Sequence, residues 1–123
     1  MEIKFTAREL DVMTALWDRG PSTVAEVRTP LDDELAYTTV LTVLRILEEK
    51  GYVSHETEGR AHRYAPLVEK AAAADSAVRR LTRKLFSGRP ELLLPRLVQD
   101  EELGDEELRR LRDRLAERLG EEE

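Results

Sequence analysis

The chain of 123 residues contains no cysteine and no long apolar run. Without cysteine, a disulfide framework, a thiolate metal site and a cysteine redox sensor are all excluded. No segment approaches the roughly 18 consecutive apolar residues of a membrane-spanning helix, so membrane insertion is not expected. The N-terminus also lacks the basic and then apolar pattern of a signal peptide. These absences predict a cytoplasmic protein.

Catalytic motifs are missing as well. There is no glycine-rich phosphate loop, no serine or cysteine nucleophile motif and no HExxH zinc helix. His55 and His62 fall on opposing strands of a predicted hairpin, where Glu56 or Glu58 could complete a metal site. Two histidines without a convincing third ligand are a weak indication of a metal. We therefore expect no enzyme, no metal and no cofactor, with His62 near phosphate and His55 solvent-exposed.

The sequence lacks the basic surplus that is common in nucleic-acid-binding proteins. Twenty basic and 26 acidic residues give a formal net charge of −6. Residues 1–70 alone hold nine basic and thirteen acidic residues. Positive charge is therefore expected to be local, on Arg28, Arg45, Arg60 and Arg63. Since phosphate contacts supply most non-specific affinity, such a protein should bind non-specific DNA weakly.

What the chain does contain is a helix pattern with an unusual polar face, beginning near residue 36. One side is apolar at three- and four-residue spacing: Val40, Val43, Leu44 and Leu47. The opposite side carries Thr38, Thr42, Arg45 and Glu49, with Thr39 next to Thr38, so short hydroxyls and one arginine occupy its first two and a half turns. Small donors and acceptors near the start of a helix suit base edges in a DNA major groove. Arg45 could reach a guanine or the backbone.

A hairpin is predicted directly after this helix, which ends at Gly51. Residues 52–57 and 62–66 are the strand candidates, and Gly59 supplies the turn between them. Arg60 at the tip and Arg63 just beyond it are expected to contact phosphates. Two other interpretations remain open. The segment could be a helix packed on a hairpin with an ordinary polar surface, or a winged helix that binds protein.

Two capping boxes predict the helices upstream of this segment. Thr6 with Glu9 and Thr23 with Glu26 have the spacing in which each side chain accepts from the other residue's N–H. The first helix should place four residues on one side: Leu10, Met13, Leu16 and Trp17. Asp32, Asp33 and Glu34 would link the second helix to the third. This order predicts a winged helix-turn-helix domain over residues 1–68.

Residues 69–123 are predicted to form a helical dimerisation region. One helix should run from residue 69 to about 86, a second should start near Pro95, and a third should begin at Asp105. The apolar residues expected at the dimer interface are Val78, Leu81, Leu85, Leu97, Leu108, Leu111, Leu115 and Leu119. A leucine stripe this short must pack on another surface. That surface could also be the chain's own wing domain or the preceding helix.

Several blocks of the sequence resemble the bacterial penicillinase repressor family of the BlaI/MecI type. The resemblance rests on Leu16, Trp17, Gly20, residues 23–27, 36–42 and 59–64, and the LEEKG run at 47–51. It implies a mainly α-helical, dimeric transcriptional repressor that binds a palindromic double-stranded DNA operator. The copper-responsive relatives use cysteine pairs near the C-terminus. Because this chain has none, copper sensing by that route is excluded.

The resemblance also bears on how repression would end. In the β-lactam-responsive branch, a membrane sensor-peptidase leads to cleavage between an asparagine and a phenylalanine. Arg96 and Leu97 stand at that pair here, directly after Pro95, so neither residue matches. We therefore predict release by a peptidase of different preference, or control by another signal.

Overall fold

The computed structural model describes residues 2–29, 31 and 36–121. The predicted link at Asp32, Asp33 and Glu34 lies outside these residues. In chain order the elements are α1 (Ala7–Arg19), β1 (Ser22–Thr23), α2 (Val24–Arg28), α3 (Tyr37–Glu49), β2 (Val53–Glu58), β3 (Ala61–Pro66), α4 (Lys70–Leu85), α5 (Pro90–Val98) and α6 (Asp105–Leu119). They divide between two compact units, Met1–Val78 and Arg79–Glu123.

Both predicted capping boxes are present. At the start of α1 the Thr6 hydroxyl accepts from the Glu9 amide, and the Glu9 carboxylate accepts from the Thr6 amide at 2.7 Å. Thr23 and Glu26 repeat the arrangement at α2. Glu9 also lies 2.7 Å from Lys50 Nζ at the end of α3. Although burial raises the pKa of Glu9, hydrogen bonds from Lys50 and Thr6 bring that pKa below its ordinary value.

The face of α1 that meets the core differs from the predicted one. Its buried residues are Glu9, Val12, Met13, Ala15 and Leu16. Leu10 is 46% exposed, so its predicted place on the buried side is wrong. The helix turns by about 100° per residue. Because the buried stripe is centred on Val12 and Leu16, Leu10 falls outside it.

The core of the first unit lies where α1, α2 and α3 meet a small antiparallel sheet of order β1-β3-β2. Val40, Leu44 and Leu47 enter this core from α3 as predicted. Tyr64 in the central strand β3 is 1% exposed and pairs with Ser22 on one side and His55 on the other. The two-residue strand β1 was not predicted. This helix-turn-helix followed by a two-stranded wing confirms the predicted winged-helix fold.

The second unit is helical. No residue of α5 or α6 is buried. Before it, the first half of α4 packs in the first unit, where Ser76 is buried and its hydroxyl accepts from the Ile3 amide. Within the described residues, no helix is both long and apolar enough to cross a bilayer.

The prediction that a helix starts near Pro95 is wrong, because Pro95 lies inside α5. Pro90 takes the first position of that helix, where a missing N–H costs nothing. Pro95 removes one internal hydrogen bond at a cost of about 3 kcal/mol, which penalises the helix without forbidding it. The turn still closes, since the Gln99 amide donates to the Pro95 carbonyl.

Candidate nucleic-acid interface

The outer face of α3 presents the four residues that the sequence marked for DNA contact. Thr38, Thr39, Thr42 and Arg45 are all exposed. Behind them, Val40, Leu44 and Leu47 anchor the helix in the core. Because these three side chains are buried, the polar side of α3 faces outward.

Thr42 is oriented by the helix itself. Its hydroxyl donates to the Thr38 carbonyl at 2.9 Å, one turn back. This bond uses the hydroxyl hydrogen, so the oxygen of this exposed side chain can still accept a hydrogen bond. Thr42 can thus accept a hydrogen bond from a base amino group or pack against a thymine methyl.

Arg45 continues this face toward the end of α3. It makes no ion pair with any residue of the described chain, so its guanidinium is available to a ligand. The first turn of α3 adds Tyr37, which is 48% exposed and was not predicted as a contact. An aromatic residue next to Thr38 in the sequence was the available indication. The α3 face thus combines hydroxyls, one cation and one aromatic ring.

The wing is formed by β2 and β3, which pair from Val53 opposite Pro66 to Glu58 opposite Ala61. Gly59 has φ +62° in the turn, a conformation that glycine adopts without strain. Arg60 beside it is exposed and makes no ion pair within the described ranges. His62 is exposed and lies opposite Thr57.

Arg63 has an internal role that the sequence did not indicate. Its Nε bonds to Glu58, and its Nη1 lies 3.1 Å from Glu26 Oε1 and 3.0 Å from the Pro21 carbonyl. Glu26 belongs to the capping box of α2, so Arg63 ties the wing to the helix-turn-helix. A phosphate would have to compete with these acceptors for its guanidinium.

The carboxylates around Arg63 are held in their charged form. The hydrogen bond from Arg63 lowers the pKa of Glu58. The pKa of Glu26 is lowered first by the backbone hydrogen bond from Thr23, with further contributions from Arg63 and Arg19. Both groups therefore remain ionised at neutral pH and keep this network intact.

The two histidines meet across the hairpin, as the sequence suggested. Their rings stack with centroids 4.4 Å apart and planes 14° apart. The carboxylate that reaches His55 belongs to Glu48 of α3, at 2.7 Å, rather than to Glu56 or Glu58. Within the described ranges, no cluster of three or more His, Cys, Asp or Glu side chains could hold a metal ion.

The predicted dimerisation residues fall on α4, α5 and α6. Those that expose more than two fifths of their surface are Val78, Leu81, Leu85, Leu97, Leu115 and Leu119. Leu108 and Leu111 are half-buried. Arg96 and Leu97, at the predicted cleavage position, lie within the helix α5.

Comparison with known proteins agrees with this fold. The chain matches the family model described as penicillinase repressor over residues 5–117. It is 40% identical to the transcriptional regulator BlaI of Mycobacterium tuberculosis over 113 residues, which cover 89% of this chain and 80% of that protein. It is 24% identical to the penicillinase repressor of Bacillus licheniformis over 105 residues, 84% of this chain and 82% of that one.

A solved structure matches part of the chain. The DNA-binding domain of the repressor BlaI, determined in solution, is similar with a TM-score of 0.51 and 28% identity. The match covers 58% of this chain and 93% of that chain. Together, the winged-helix architecture and the match along nearly the whole sequence place the chain in the penicillinase repressor family of transcriptional repressors.

Proposed function

We propose that this protein represses transcription by binding a palindromic DNA operator as a homodimer. The observation that carries the proposal is the exposed face of α3, with Thr38, Thr39, Thr42 and Arg45. In a winged helix this helix enters the major groove, where such side chains read base edges. At the wing, Arg60 would contact the adjacent phosphates and His62 would lie close to the DNA backbone.

Dimerisation is supported by the apolar side chains of α4, α5 and α6. Long exposed leucines such as Leu85, at 69%, and Leu119, at 68%, are unfavourable in water when many lie in one region. A second copy of the chain would cover them through a two-fold interface. The two α3 helices would then address half-sites about 10 base pairs apart or a multiple of that spacing. Residues 1–68 would read DNA and residues 69–123 would pair the copies.

Selection of duplexes from a random pool tests the proposed function. The protein should enrich one sequence with two-fold symmetry and half-sites spaced by whole helical turns. The acidic balance of residues 1–70 favours the alternative of a module that binds protein. Failure to enrich any duplex at low salt, where phosphate contacts are strongest, would support that alternative.

Arg60 and Arg63 are expected to respond differently to alanine. We propose that Arg60 binds phosphate directly, so Arg60→Ala should weaken operator and non-operator DNA about equally. It should also make the logarithm of the binding constant fall less steeply with the logarithm of the salt concentration. We call this dependence the salt slope, and it should decrease by about one unit per bound protomer. Arg63→Ala removes the link to Glu26 and Glu58, so it should also loosen the wing in the free protein.

The measurements are binding over a salt series and amide hydrogen exchange of the free protein. Faster exchange in β3 is expected for Arg63→Ala and not for Arg60→Ala. If Arg60→Ala instead altered only the discrimination between operator and other sequences, its assignment to phosphate would be wrong. If Arg63→Ala changed only the salt slope, Arg63 would be a simple phosphate ligand.

We propose that derepression here differs from cleavage between asparagine and phenylalanine. Arg96 and Leu97 replace that pair, and they lie in α5 next to Pro95 rather than in an extended strand that fits a protease cleft. Either a peptidase of different preference, acting below a membrane sensor, or a signal other than a β-lactam would release the operator. Mass spectrometry of the protein from β-lactam-treated cells should show no fragment that ends at Arg96. A cut elsewhere would indicate a peptidase of different preference, and an intact chain would indicate a non-proteolytic signal. Fragments ending at Arg96 would contradict the proposal.

A further inference from the structure

The wing contacts the end of α3 through three side chains, Glu48, His55 and His62, which we name the histidine clamp. Glu48 lies in the last turn of α3, His55 in β2 and His62 in β3. His55 Nδ1 lies 2.8 Å from one carboxylate oxygen of Glu48 and 2.7 Å from the other. The His55 ring stacks on His62 and leans on Tyr64, with centroids 5.3 Å apart. These contacts join α3 to both strands of the wing.

The clamp acts on an edge strand of the sheet, because His55 lies in β2. In the order β1-β3-β2, the strand β3 is paired on both sides, whereas β2 pairs with β3 alone. Beyond His55, Glu56, Thr57 and Glu58 are exposed up to the turn. His55 therefore fixes the outer strand against α3 shortly before the chain reaches Arg60.

We propose that the histidine clamp sets the position of the wing relative to α3, and that His55 is a positioning residue for the contact of Arg60 with phosphate. The inference rests on the proposed DNA-binding function. A hydrogen bond from an N–H group to a carboxylate is strong and directional. The stacking of the His55 ring on the His62 ring resists movement of the hairpin relative to α3. Together they hold α3 and the tip of the wing at the separation that one half-site requires.

The clamp contributes little to the stability of the fold. The side chains of His55 and Glu48 are 31% and 34% exposed, and polar contacts this accessible to solvent contribute little to stability. The core behind them, with Leu44, Leu47 and Tyr64, is complete without His55. His55→Ala should therefore keep the unfolding midpoint of the wild type, which separates positioning from folding.

The first arm of the test uses the free protein. NMR order parameters of the Gly59 and Arg60 amides should be lower in His55→Ala than in the wild type. His55→Gln should restore them, because its amide N–H can still donate to Glu48. Unchanged order parameters in His55→Ala would overturn the proposal. This arm stands even if the protein binds no DNA, in which case only the proposed function fails.

The second arm is a double-mutant cycle on the duplex that the wild type selects. His55→Ala and Arg60→Ala should each reduce the salt slope by about one unit per protomer. The double variant should lose no more than either single one, because both remove the same phosphate contact. Additive losses would overturn the proposal, since His55 would then act independently of Arg60.

A matched pair of charge changes completes the design. Glu48→Ala and Glu49→Ala each remove one negative charge from the last turn of α3, but only Glu48 contacts His55. Glu48→Ala should weaken operator binding several-fold, whereas Glu49→Ala should leave it unchanged or slightly tighter. If the two variants changed operator affinity equally, the effect would come from the lost negative charge and not from the clamp.

Discussion

Replacing Leu115 and Leu119 by glutamine is expected to produce monomers that bind a palindromic operator about 10² to 10⁴-fold more weakly than the wild type. Both leucines are exposed, at 49% and 68%, so the substitution leaves the fold of the chain intact. Two linked half-site contacts gain affinity because the second binding event is intramolecular. Without the dimer interface, each α3 must bind its half-site alone.

Sedimentation velocity at micromolar concentration and binding to the selected duplex measure this effect. Leu67→Gln is the matched control, because Leu67 is also exposed, at 59%, but lies in the first unit. The control should remain dimeric and bind normally. A wild-type protein that sediments as a monomer and still binds the palindrome tightly would contradict the proposed assembly.

Arg45→Ala is expected to weaken operator binding by roughly 30-fold to 10⁴-fold if Arg45 contacts a guanine. A bidentate arginine–guanine contact discriminates by about 1–3 kcal/mol, and a symmetric dimer makes it twice, which gives about 2–6 kcal/mol. Affinity for unrelated DNA should change much less. The salt slope should stay nearly constant, because a base contact releases few counterions.

The matched control for Arg45→Ala is Arg8→Ala, which removes the same charge from α1. Arg8 is paired with Asp11 on the surface and lies outside the α3 face. It should change operator affinity little. If Arg45→Ala weakened all duplexes alike and lowered the salt slope by about one unit per protomer, Arg45 would contact a phosphate instead.

The parts of the fold that were predictable follow local rules. Capping boxes span three residues, and the apolar stripe of α3 repeats within two turns, so a short window contains the whole pattern. For the same reason Gly51 and Gly59 marked the end of the helix and the turn of the wing. The face bearing Thr38, Thr42 and Arg45 could be identified because it lies opposite that stripe.

Local rules failed where distant groups decide the outcome. Leu10 is exposed because the packing of α1 on its neighbours selects another stripe. Arg63 meets Glu26, which lies 37 residues earlier, and Lys50 meets Glu9, which lies 41 residues earlier. Pro95 lies within α5 because the cost of one missing hydrogen bond penalises a helix without forbidding it.

The sequence by itself thus determined where α1 and α2 begin, which side of α3 faces the core and which side chains remain on its surface. Only the tertiary structure decided that Arg63 supports the wing, and that His55 bonds to Glu48 while it stacks on His62. The physical reason is that helix caps and periodic faces are short-range, whereas an ion pair or a ring stack forms wherever the fold brings its partners within a few ångströms.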